Sequence, residues 1–256
     1  MTTWVGTGWK MNKTLAQARA YAETLAATDP ERWAGVQPFI LPPATALAAV
    51  SAVLGPSSHV LVGAQNAHWA DDGAWTGEVS VPQVADAGAA IVEIGHSERR
   101  TFFAETDETV NLKVKATLRH GLIPLVCVGE PEGVFAAGRS VPHVLDQVRA
   151  ALDGVGDVSS VVLAYEPIWA IGSGGRPAEP SDIADVFAAL RAKWGGSVRA
   201  VLFGGSVNPD NALTLLGVAG VDGLFIGRAA WDVAGFIGLL DLVAGQRPTM
   251  DMPVSL

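Results

Sequence analysis

The sequence predicts an α/β fold, a single (β/α)8 barrel. Three observations predict it. Short apolar runs alternate with helical patterns about eight times in 256 residues. The runs are continuously apolar, not alternating, as a parallel sheet buried on both faces requires. No Pro/Gly-rich linker, charge block or internal change of composition divides the chain, so residues 1–256 read as one domain. The strand–helix repeats occupy about 4–243, and 244–256 is a short tail. A doubly wound open sheet is the rival architecture, but no G-x-G-x-x-G follows the first strand, so a dinucleotide site has no support.

The elements follow in order. Trp4 to Lys10 reads as the first strand, and Thr14 caps an Ala-rich helix with Leu15, Ala18, Ala22 and Leu25 at helical spacing. Val36 to Leu41 is the second strand, stopped by Pro42 and Pro43, and Ala44 to Leu54 is its helix. His59 to Ala64 is the third strand. Gln65 to Gly77 is a long loop with two tryptophans, followed by a short helix, Val81 to Ala87. Ile91 to Gly95 is the fourth strand, with a helix from Asp107 to His120 ended by Gly121. Leu122 to Val128 precedes a helix from Ser140 to Leu152, where Pro142 sits early enough to be tolerated. Val161 to Glu166 is the sixth strand, because Pro167 pushes Glu166 out of helical conformation. Ser181, as N-cap, opens a helix to Trp194. Arg199 to Phe203 and Gly223 to Ile226 are the last strands, with helices Pro209 to Leu216 and Trp231 to Val243.

The balance of charge is −9, which argues against nucleic-acid or anionic-membrane partners. One cysteine, Cys127, excludes a disulfide framework. The five histidines, His59, His68, His96, His120 and His143, lack zinc-ligand spacing, so no metal and no cofactor is expected. There is no secretory leader pattern and no apolar run of membrane-spanning length, so a cytoplasmic protein is expected.

In a barrel of this kind the active site lies at the C-terminal ends of the strands. Lys10, His96 and Glu166 all arrive there. Any one of them alone could be a solvated or structural residue; together at one rim they suggest chemistry. Glu166, before a loop of apolar residues and glycines (Ile168 to Gly174), suits a base beneath a lid. Gly204-Gly205-Ser206 and Gly227-Arg228 follow strands seven and eight, where such barrels often hold phosphate.

GWKMN, AQNAHWADDGAWTGE, IGHSERR, AYEPIWAIGSG and FGGSV, in this order, resemble the motifs of the triosephosphate isomerase superfamily. The resemblance covers nearly the whole chain and implies a TIM barrel that forms a homodimer. It implies Lys10 and His96 as electrophiles, Glu166 as the base, and Glu98 holding Lys10 by charge. His96 would start a helical turn whose dipole favours a neutral ring. Gly172, Ser206 and Gly227 would offer N–H groups to a phosphate. Residues 65–78, through Trp75 and Thr76, would reach into the partner subunit, with Glu78 and Arg99 as an ion pair.

Four positions depart from the family pattern. Gly8 stands where the family has Asn, and Phe203 where it has a lid-latching Tyr. Gly175-Arg176-Pro177 replaces Lys-Thr-Ala, and Arg228 replaces the second Gly after strand eight. Gly8 leaves room beside the reacting end, and Arg228 brings a guanidinium to the phosphate turn. G-x-W-K-M-N-K-T-L with G-L-F-I-G-R-x-A-W is similar to one branch, the L-erythrulose-1-phosphate isomerases of erythritol catabolism. The resemblance therefore implies isomerisation of a four-carbon ketose phosphate through an enediolate. A triosephosphate isomerase and a non-catalytic phosphate-binding barrel are the alternatives.

Overall fold

In the computed structural model the described residues are 2–171 and 175–245. Eight strands pair in parallel and in chain order: β1 (Thr3–Gly8), β2 (Val36–Leu41), β3 (Leu61–Ala64), β4 (Ile91–Ile94), β5 (Ile123–Val128), β6 (Val162–Tyr165), β7 (Ala200–Gly205) and β8 (Gly223–Ile226). β8 returns to β1 with Thr7 opposite Ile226, so the predicted barrel closes and no strand edge is left unpaired. Around it run α1 (Leu15–Ala26), α2 (Leu47–Leu54), α3 (Val81–Asp86), α4 (Ser97–Phe102), α5 (Asp107–Arg119), α6 (Glu132–Ala136), α7 (Ser140–Ala151), α8 (Pro180–Trp194), α9 (Ala212–Leu216) and α10 (Val233–Ala244). None of these helices is long and apolar enough to cross a membrane.

Closure creates two cores. Trp4, Phe39, Leu125, Cys127, Leu202 and Phe225 are among the side chains that fill the barrel interior. The larger cluster lies between the outer strand faces and the helices. Glycine at position 6 admits the Phe39 ring to the interior: a Cβ there would lie 2.2 Å from it.

Several boundaries differ from the sequence reading. β1 stops at Gly8 rather than Lys10, because Lys10 adopts φ +52°, which no strand can carry. Strand alternation therefore does not relate positions 8 and 10. β7 runs on to Gly205, because Gly204 and Gly205 pair with Phe225 and Ile226 of β8. The segments after Pro43 and Pro209 first form turns, so α2 and α9 begin three residues late. Glu179, not Ser181, is the N-cap of α8: Pro180 takes the first helical position, and the Glu179 N–H donates to Asp182 Oδ2 at 2.9 Å. Thr14 caps α1 as expected.

One buried ionic cluster ties the outer layer together. Glu105 Oε1 accepts from the Gly95 N–H at 2.8 Å. Its Oε2 accepts from Arg99 Nε at 2.9 Å and Lys113 Nζ at 2.5 Å, and Lys113 also reaches Asn66 Oδ1 at 2.7 Å. Burial by itself raises the Glu105 carboxyl, but Lys113 and Arg99 bring it below its usual value. Burial lowers the Lys113 ammonium, only partly offset by Glu105. Within one chain, the turn of α4 places Arg99 on Glu105.

The loop of residues 65–78 is held by its own aromatic rings. His68 stacks on Trp69 at 4.0 Å and meets Trp75 tilted at 4.3 Å. Asp71 accepts from Arg119 and pairs with His120, which fixes the loop to the end of α5.

Candidate active site

The strand ends enclose a cavity of about 660 Å³, lined by Gly8, Lys10, Glu93, His96, Glu98, Glu166, Ser206, Phe225, Gly227, Arg228 and Trp231 among others. The sequence-predicted residues of the described chain all meet there. Gly172 lies outside the described residues.

Glu166 follows β6, and its N–H donates to Val128 O at 2.7 Å. Its side chain is buried, and Oε2 has no hydrogen-bond partner among the described residues. Leaving such an atom unpaired is costly, so it marks a place for a proton-bearing ligand atom. Two glycines make this pose possible: a Cβ on Gly204 would lie 2.7 Å from Glu166 Oε1, and one on Gly129 would lie 1.9 Å from Glu166 O.

His96 is the N-cap of α4, and its Nδ1 accepts from the Glu98 N–H at 3.1 Å. That acceptor role assigns the ring proton to Nε2, which lies 3.8 Å from Glu166 Oε2. Lys10 is held in left-handed conformation, a strain that persists only where surroundings enforce it. They do so here: Gln65 Nε2 donates to Lys10 O at 3.0 Å, and Glu98 Oε1 accepts from Lys10 Nζ at 2.7 Å.

The described residues on both sides of 172–174 are anchored. Trp169, in the 3-10 turn Ile168–Ala170, donates from Nε1 to Glu130 Oε1 at 2.9 Å. Tyr165 and Ser140 donate to the same oxygen. On the far side, Arg176 lies 4.4 Å from the Trp169 ring and pairs with Asp182 at 2.8 Å. Phe203 is buried against Phe187 and has no donor to offer. Ser206 gives both its N–H (3.0 Å) and its hydroxyl (2.7 Å) to Ala170 O. In this arrangement the Ser206 N–H is engaged, and an anion would have to displace Ala170 O. The Gly227 N–H has no acceptor among the described residues. Arg228 is exposed on the cavity wall, with no ion-pair partner among the described residues.

Two acids in this region escaped the sequence reading. Glu130 lies just past β5 and directly before Pro131, as Glu166 follows β6 and precedes Pro167, so the same rule could have found it. Glu93 interrupts the apolar run Ile91–Ile94, and a charged residue within a buried strand is itself a signal.

A family model described as triosephosphate isomerase matches residues 3–243. The chain belongs to the triosephosphate isomerase family. Within that family it is 54% identical to an L-erythrulose-1-phosphate isomerase of Mycolicibacterium smegmatis, over 95% of this chain and 94% of that protein. Proteins of the same name from Rhizobium rhizogenes and Brucella abortus are 50% and 49% identical, each over at least 93% of both chains. Among solved structures it is similar to the triosephosphate isomerase of Bartonella henselae, with TM-score 0.84 and 33% identity, covering 95% of this chain and 99% of that one.

Proposed function

We propose that this member of the triosephosphate isomerase family isomerises L-erythrulose 1-phosphate to D-erythrulose 4-phosphate. The observation that carries the substrate is 48–54% identity, over nearly the whole chain, to proteins of that name. The site supports the reaction class. Glu166 takes the proton from C3, next to the C2 carbonyl. The charge that develops on O2 is met by the Lys10 ammonium and the His96 Nε2–H, both fixed before substrate arrives. The proton on O3 passes to O2, Glu166 returns its proton to C2, and the carbonyl stands at C3. Hydrogen moves only within one molecule, so the reaction calls for no cofactor. Glu98 holds Lys10 in place, and Gly227 and Arg228 face the phosphate end. The reading places the enzyme in cytoplasmic erythritol catabolism.

The test is kcat/KM for L-erythrulose 1-phosphate beside dihydroxyacetone phosphate. A preference for the triose would return the chain to triosephosphate isomerase activity, and no turnover of either would favour a binding barrel. Gly8→Asn sharpens this test. A Cβ at position 8 would lie 3.2 Å from Phe225 Cζ and 3.6 Å from Glu93 Oε2, so an added side chain enters the corner open to a fourth carbon. The preference for the tetrulose should fall roughly ten- to two-hundredfold, the cost of displacing a methylene-sized group. An unchanged ratio would remove Gly8 from substrate selection.

We also read the enzyme as a homodimer joined through residues 65–78, with Trp75, Thr76, Glu78 and Arg99 at or near the contact. Trp75 is 48% exposed, and Met11, Phe102 and Phe103 are 98%, 73% and 66% exposed, more apolar surface than isolated positions explain. Light scattering at micromolar concentration should give twice the chain mass; a monomer would refute the contact.

A further inference from the structure

Of the three acids that line the cavity among the described residues, Glu166 moves the proton and Glu98 holds Lys10, and Glu93 is left without a role. Glu93 lies within β4, between Val92 and Ile94, which are fully buried. It lines the same cavity as Glu166 and Lys10. Its Oε1 has a poor partner, Cys127 Sγ at 3.9 Å, which is a weak donor. Its Oε2 faces the space above Gly8, 3.6 Å from where a Cβ would stand, with the Phe225 ring edge as the adjoining wall. Burial, then the charge on Glu166, push the Glu93 carboxyl well above its usual value, and Lys10 offsets this only in part. A protonated carboxyl is the form these surroundings favour. Such a group is costly inside a protein unless a hydrogen-bonding partner arrives.

We propose that Glu93 determines specificity by hydrogen-bonding the terminal hydroxyl of a four-carbon ketose phosphate, the CH2OH beyond the reacting carbons. The proposal rests on the tetrulose phosphate reading above. A carboxylic acid donates its O–H to the hydroxyl oxygen and accepts the hydroxyl proton on its carbonyl oxygen. Both needs of the CH2OH are met without a second negative charge beside the enediolate. A triose phosphate ends at the reacting carbon and has no atom to offer this corner.

The experiment compares three substrates: L-erythrulose 1-phosphate, the same compound with methyl in place of its terminal CH2OH, and dihydroxyacetone phosphate. Wild-type enzyme should disfavour the methyl analogue about ten- to a hundredfold in kcat/KM, the range expected when a buried polar group loses its partner. Glu93→Leu should abolish that discrimination and leave dihydroxyacetone phosphate turnover within about threefold, whereas Glu93→Gln, which still donates and accepts, should keep most of it. A merely structural role would lower all three substrates together. Equal use of the tetrulose and its methyl analogue by the wild type would overturn the proposal without any variant having to fold. Full discrimination in Glu93→Leu would also overturn it. A wild-type preference for the triose would overturn the tetrulose reading and this inference with it; a tetrulose preference that ignores the terminal hydroxyl would overturn this inference alone.

Discussion

Glu166→Gln should leave the barrel intact and lower kcat by about two to four orders of magnitude. Gln has the same shape, so the space that Gly129 and Gly204 provide still accepts it. What disappears is the ability to take a proton from carbon. Glu166 Oε2 has no hydrogen-bond partner to lose among the described residues, so folding depends little on its charge. Lys10, His96 and the phosphate end remain, and KM should change far less than kcat. Circular dichroism and steady-state kinetics on the tetrulose phosphate check both halves. Activity within about threefold of wild type would exclude Glu166 as the base.

Glu105→Ala should have the largest effect on stability. It removes the carboxylate that satisfies Lys113, Arg99 and the Gly95 N–H, and it strands the buried Lys113 ammonium. Breaking one side of a buried pair costs about 3–5 kcal/mol. Urea unfolding should show the loss as a lower midpoint, and a change below about 1 kcal/mol would contradict the assigned role. The same pair gives an acid dependence. Because the folded carboxyl lies below its unfolded value, its contribution is complete above about pH 4.3 and fades as pH falls through the lower folded value. In Glu105→Ala that part of the acid sensitivity should vanish.

The barrel was legible because its strands must be apolar on both faces, and the bounds of β2 and β8 follow from sequence alone. The helix starts at Leu47 and Ala212 were not, because proline limits its own neighbourhood without saying how many turn residues follow. The end of β7 depends on its pairing with β8, which is a property of closure. Lys10, His96 and Glu166 could be picked out because catalytic groups concentrate at strand ends. The contact of Ser206 could not be read: nothing in GGSV says that its N–H turns to Ala170. Glu93 stands out in its own segment as a charge in a buried strand, but the segment assigns it no role. It acquires one only when three strands bring residues 8, 93 and 225 to one corner.

Cys127 gives the barrel interior an unintended use. It is the sole cysteine of the chain, 1% exposed within the inner cluster, and burial, then Glu166 and Glu93, hold its thiol well above the usual range. The thiolate is the reactive form, so in the closed barrel this sulfur is inert to alkylating reagents. Labelling can proceed only through excursions that part the strands. The modification rate of native enzyme therefore times the opening of the barrel itself, with no introduced probe and no second thiol to confuse the signal.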